Sequence, residues 1–165
     1  MRKAKRSVAF DDILSSNFYA PDTNTLIDPI LRGHLILEAI IVEIIQLSKP
    51  GDTAWDWNFP TKTKYLVGQN LIADDIKIAF DEINNLRNDF AHSFGFDVTP
   101  KYLLELARKL EDECGVDFSD SIGHYSVEEA LEYYQNINGI LSEILWCVLF
   151  EAANVLEENG GRDIF

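Results

Sequence analysis

The sequence predicts an all-α bundle of about five helices, and three observations carry that prediction. Apolar residues recur at helical spacing along four long stretches, cap and breaker residues bound those stretches, and no two alternating runs pair convincingly as strands. With 165 residues, 47% of them apolar and 25% charged, the chain has the composition of one folded domain. That length buries an adequate core without metals or disulfides. The expected organisation is a tail over residues 1–22, a single helical domain over 23–160 and a short tail over 161–165.

Residues 1–22 read as a basic stretch, Met1-Arg2-Lys3-Ala4-Lys5-Arg6, then an amphipathic piece, Phe10–Phe18, ended by Ala20-Pro21. No apolar segment of signal-peptide type follows the basic residues. The first long helix is expected over about 29 to 48, with Asp28 as N-cap and Pro29 at the first helical position. Ile30, Leu31, Leu35, Leu37, Ile40, Ile41, Ile44 and Ile45 put apolar groups on nearly every face, so this helix belongs in the middle of the core. Lys49-Pro50-Gly51-Asp52 ends it, and Trp55, Trp57 and Phe59 are expected in a loop packing over the core.

A short helix over Lys62–Asn70 presents Tyr65, Leu66 and Val67. The next long helix opens at Asp74-Asp75, where acids complement the helix dipole. Its stripe is Ile76, Ala79, Phe80, Ile83, Leu86 and Phe90, and it is expected to end between Ala91 and Ser93. Thr99-Pro100 caps a helix with the stripe Tyr102, Leu103, Leu106 and Leu110, up to Gly115. Ser126-Val127-Glu128-Glu129 is a capping box. It opens one long helix through Leu131, Tyr134, Ile137, Leu141, Ile144, Leu145, Val148 and Ala152, with Gly139 as a point of interruption.

The chain carries 28 acids against 14 bases, a net charge of −14. Duplex-binding proteins draw affinity from neutralised phosphates, so this balance argues against a general DNA binder and leaves room only for a local cationic site. Lys62, Lys64, Lys77 and Arg87 are candidates for such a patch. The apolar runs Leu35–Ile45 and Ile140–Val148 contain Glu38, Glu43 and Glu143 and fall short of the roughly 20 residues of a membrane span. A cytoplasmic protein without membrane contact is expected. Cys114 and Cys147 match no ligand spacing and read as reduced thiols. The histidines show no metal-ligand spacing, so neither a metal nor a cofactor is expected. His34 reads as a satisfied core residue and His124 as a solvated loop residue.

The chemistry-bearing segment is Leu86-Arg87-Asn88-Asp89-Phe90-Ala91-His92. On a helix, Asn88 lies about 100° and His92 about 140° round from Arg87, flanking the core stripe, with Asn84 and Ala91 between them. A histidine titrating near neutrality takes the proton of a ribose 2′-hydroxyl, and an arginine stabilises charge growing on a phosphoryl group. The plainer reading of the same residues is an arginine packed by its stem and a histidine complementing a helix C-terminus.

Arg87-Asn88-Asp89-Phe90-Ala91-His92 matches the RNxxxH pattern and resembles the HEPN superfamily, helical domains that include metal-independent ribonucleases of toxin and defence systems. The surroundings resemble the MtlR-type branch, relatives of mannitol-operon repressors. Arg32-Gly33-His34 opening an apolar helix is similar, as is Lys62-Thr63-Lys64-Tyr65-Leu66-Val67-Gly68-Gln69-Asn70-Leu71-Ile72 leading into Asp74-Asp75. Residues 140–165 are similar in character. The resemblance is close over 28–95 and loose elsewhere.

For the nuclease branch it implies a homodimer packed partly through the face of Arg87 and His92, an RNA substrate and an antitoxin partner. His92 is then general base or acid, Arg87 the charge stabiliser and Asn88 the positioning residue. The MtlR-type branch implies a non-catalytic regulator or interaction module with a protein partner. Here the MtlR-like surroundings carry an intact Arg87, Asn88 and His92, and both readings stay open.

Overall fold

The computed structural model describes residues 26–51, 54–92 and 98–165, apart from the side chain of His92. The expectations for residues 1–22 fall outside the described residues. All regular structure among the described residues is helical: α1 (Ile27–Ser48), α2 (Phe59–Gly68), α3 (Asp74–His92), α4 (Pro100–Cys114), α5 (Val127–Tyr134) and α6 (Ile137–Glu158). Two 3₁₀ turns, Ala54–Asp56 and Ile122–His124, lie between them.

The bundle is built around α1 and α6, which pack more extensively on each other than any other pair. Both are apolar on most faces. Ile30, Leu37, Ile40, Ile41, Val42, Ile44 and Ile45 of α1 are buried, as are Ile140, Leu141, Ile144, Leu145, Val148, Leu149 and Leu156 of α6. A Cβ added at Gly33 would come within 2.9 Å of Leu145, so glycine there lets the two helices close up. The three-helix side α1–α2–α3 packs against one flank, while α4 meets α3, α6 and the Ile122–His124 turn, and α5 sits on α4 and α6.

The helix starts show where local signals govern. Thr99 caps α4, its side chain accepting from Tyr102 N at 3.2 Å, with Gly115 in the left-handed region at the other end. Ser126 and Glu129 form the expected capping box. At α1 the expectation fails: Leu26 is the N-cap, and Asp28 lies in the first turn. There Asp28 accepts from Arg32 Nε at 3.0 Å, a pairing across one turn that takes the carboxylate away from capping. At α2 the helix starts three residues before the expected Lys62, because Asn58 accepts from Thr61 N at 2.9 Å and Pro60 sits in the first turn. Within the expected aromatic loop, Trp55 is exposed, Trp57 packs edge-on against Tyr65, and Phe59 is buried as the first residue of α2.

The expected single long helix after the capping box is two helices. Gln135 has φ +69°, which ends α5, and the Asn136 side chain caps α6 by accepting from the backbone of Asn138 and Gly139. Gly139 is therefore not the interruption. It lies in the first turn of α6, where an added Cβ would come within 2.2 Å of Tyr134 O, so it lets the two helices join so tightly.

As one continuous 22-residue helix, α6 is long and apolar enough to cross a bilayer by length and composition, with 56% of its most apolar window buried inside the bundle. This corrects the expectation that the run around Ile140–Val148 is too short. Cys114 is buried and Cys147 half-buried, both as free thiols. Burial, and secondarily the neighbouring Glu143, pushes the Cys147 thiol up to about 12.

Candidate functional site

α3 places Asn84, Arg87 and Asn88 at i, i+3 and i+4, so their side chains stand on one strip beside the buried stripe of Ala79, Phe80, Ile83 and Leu86. The helix continues unbroken through His92, the condition for the expected spacing of the RNxxxH segment. His92 follows Asn88 by four residues, one turn along the same face, while the described residues stop short of its side chain.

Arg87 and Asn88 are half-buried and bonded to each other: Arg87 Nη1 donates to Asn88 Oδ1 at 2.9 Å. This uses one of the five N–H donors of the guanidinium and orients the asparagine amide. Asn84, one turn earlier, points into the bundle. Its Oδ1 is 3.0 Å from His34 Nε2 of α1, and both residues are buried. A carboxamide oxygen only accepts, so Nε2 carries the proton and the neutral ring is in the Nε2–H form. The ring also packs on Phe59, centroids 5.0 Å apart.

His34 is thus the satisfied core histidine that the sequence suggested. Burial lowers its pKa from the ordinary 6.5, against the opposing influence of the Asn84 bond and Glu38. The charges of Arg87 and Lys62 add to the lowering, which ties the α3 strip electrostatically to α1.

The anticipated positive patch is not formed by the four cations together. Lys62 is fully buried, and its Nζ donates to Glu38 Oε1 at 2.6 Å and to Trp57 O at 2.7 Å. Lys77 is paired with Asp81, which also accepts from Thr63 Oγ1 at 2.9 Å. Lys64 is exposed and Arg87 is engaged with Asn88. Asp81 and Glu82 are half-buried and each holds a lysine, Glu82 taking Lys109 of α4 at 2.9 Å. The charges of Lys62, Lys77 and Lys109 are therefore taken up by acids of the bundle.

Sequence spacing missed two groupings. One is the buried Lys62–Glu38 pair, whose partners lie 24 residues apart. The other joins residues that show no metal-ligand spacing along the chain: the Ile122–His124 turn brings His124 Nε2 to 3.4 Å from Asp112 Oδ1 and 3.7 Å from Glu111 Oε2. An open hollow of about 640 Å³ lies on neither grouping. It is lined by Tyr125, Glu129, Glu132 and Tyr133, at α5.

No protein-family model, no curated protein and no solved structure matches the chain.

Proposed function

We propose that the chain is a HEPN-like, metal-independent ribonuclease that works as a cytoplasmic homodimer. The observation that carries this reading is the Arg87–Asn88 hydrogen bond on an α3 that runs unbroken to His92. In this reading Arg87 stabilises charge on the scissile phosphate, and Asn88 holds a phosphate oxygen or the imidazole. His92 takes the 2′-hydroxyl proton or protonates the leaving oxygen. A second copy supplies a second Arg87–His92 set across the dimer, and an antitoxin-like protein restrains the activity. Chelator-treated wild-type protein is expected to degrade RNA. His92→Ala and Arg87→Ala are each expected to lower the rate about 100-fold or more. A wild type that leaves RNA intact, or a His92→Ala variant that cleaves equally well, overturns the proposal. Sedimentation of the wild type as a monomer at the assay concentration removes the dimer from it.

A second reading, a non-catalytic MtlR-like regulator or interaction module, is favoured by a different observation. Lys62 and Lys77 are neutralised by Glu38 and Asp81 in a chain of net charge −14, which leaves little cationic surface among the described residues of α2 and α3 to draw RNA in. The exposed apolar residues Ile27, Leu31 and Leu35 stand one turn apart on α1, a strip suited to a protein partner.

A further inference from the structure

We propose that Glu111, Asp112 and His124 form a binding site for a divalent first-row transition ion, with Zn²⁺ as its representative. The site is separate from the α3 strip and does not depend on the ribonuclease reading. Glu111 and Asp112 are adjacent in the last turn of α4, and His124 comes from the turn packed against that helix. One oxygen from each acid and one ring nitrogen lie within 4.8 Å of one another.

The separations carry the argument. A hydrogen bond between imidazolium and carboxylate closes to about 2.7–2.9 Å. His124 Nε2 instead stands 3.4 Å from Asp112 Oδ1 and 3.7 Å from Glu111 Oε2. Ligands bonded at about 2.0–2.1 Å around a tetrahedral ion are about 3.3–3.4 Å apart. Both nitrogen–oxygen separations are therefore within tenths of an ångström of those around a shared ion, and the two acid oxygens lie within 4.8 Å of each other.

A second observation points the same way. Glu111 Oε2 is buried and has no hydrogen-bond partner among the described residues. A buried carboxylate oxygen without a donor is costly, and an ion at the centre of the three groups supplies what it lacks. One imidazole and two carboxylates select Zn²⁺ and its first-row neighbours over Mg²⁺ or Ca²⁺, which take oxygen ligands. Three protein ligands leave a fourth position open to water or a further ligand.

The fold holds His124 firmly in place. Arg108 Nε donates to Gly123 O at 2.9 Å, and the turn lies so close to α4 that a Cβ at Gly123 would come within 2.5 Å of the Arg108 backbone. That bond to the Gly123 carbonyl also fixes the Arg108 guanidinium to the turn.

The test is calorimetric titration of the chelator-stripped full chain with ZnCl₂, with CoCl₂ absorption as a second probe of the ligand field. Wild type is expected to bind one equivalent, with a melting temperature that rises with zinc concentration. His124→Ala and Asp112→Asn are each expected to weaken binding at least tenfold, and His92→Ala to leave it unchanged. These side chains are about half exposed, so the variants are expected to fold as wild type does. Absence of zinc uptake by wild type at millimolar concentration overturns the site. So does uptake that His124→Ala and Asp112→Asn leave unaltered, which marks adventitious surface binding.

Discussion

The four polar or charged residues that are buried among the described residues, His34, Lys62, Thr63 and Asn84, all lie on α1, α2 and α3. The buried residues of α4, α5 and α6 are, by contrast, apolar. Both regions use the same helical scaffold, yet one is held by matched polar partners and the other by shape. Polar partners demand geometry, since a buried group left without its mate costs more than the bond contributes. The polar half therefore tolerates few rearrangements, and it is the half that carries the RNxxxH segment.

The sharpest way to break this contrast is Lys62→Ala. It strands Glu38 and the Trp57 carbonyl, and a loss of about 3–5 kcal/mol in urea unfolding is expected. Replacing Lys62 and Glu38 together by Met and Leu is expected to recover most of that loss. If the double variant is as unstable as the single, the pair is not the source of the effect.

Next in size is the shape-held half. Gly139→Ala drives a Cβ into Tyr134 O and is expected to cost about 2–3 kcal/mol by the same measurement. Asn84→Ala leaves His34 Nε2–H without an acceptor and is expected to cost about 1–2 kcal/mol.

A pH series sharpens the contrast further. The folded-state pKa of His34 lies below its ordinary 6.5, so the unfolded chain binds the proton more readily. The contribution of His34 is fully present above about pH 6.5 and is lost as pH falls towards the folded pKa. Stability is expected to fall on acidification through this window, and the slope to be shallower in His34→Gln. Equal slopes would show that other groups govern the window. The smallest effect belongs to the surface: Arg32→Ala removes an exposed pair with Asp28 and is expected to change stability by less than about 0.5 kcal/mol.

The contrast also explains what was legible in the sequence. Helices with local start signals could be read directly, as at Thr99 and Ser126, because capping depends on residues three apart. The extent of α3 followed from its stripe and from the acids at its start. The break between α5 and α6 was hidden because apolar spacing runs across it. Its cause is the left-handed backbone of Gln135, although Asn136 three residues before Gly139 was an available cap signal.

The site was legible in part. Arg87 and Asn88 share a helix, so their neighbourhood follows from helical geometry. The burial of Lys62 by Glu38 and the approach of His124 to Glu111 and Asp112 join separate elements. They depend on packing that no spacing along the chain encodes.

The protonated state of the two thiols has a practical consequence. Thiolates are the reactive form, and burial raises both Cys114 and Cys147. At neutral pH the folded chain is therefore a quiet background for maleimide chemistry. A cysteine introduced at an exposed position such as Leu35 can be labelled selectively. A spin or fluorescent probe there would report whether two copies bring their α1 helices together, without first removing either native cysteine.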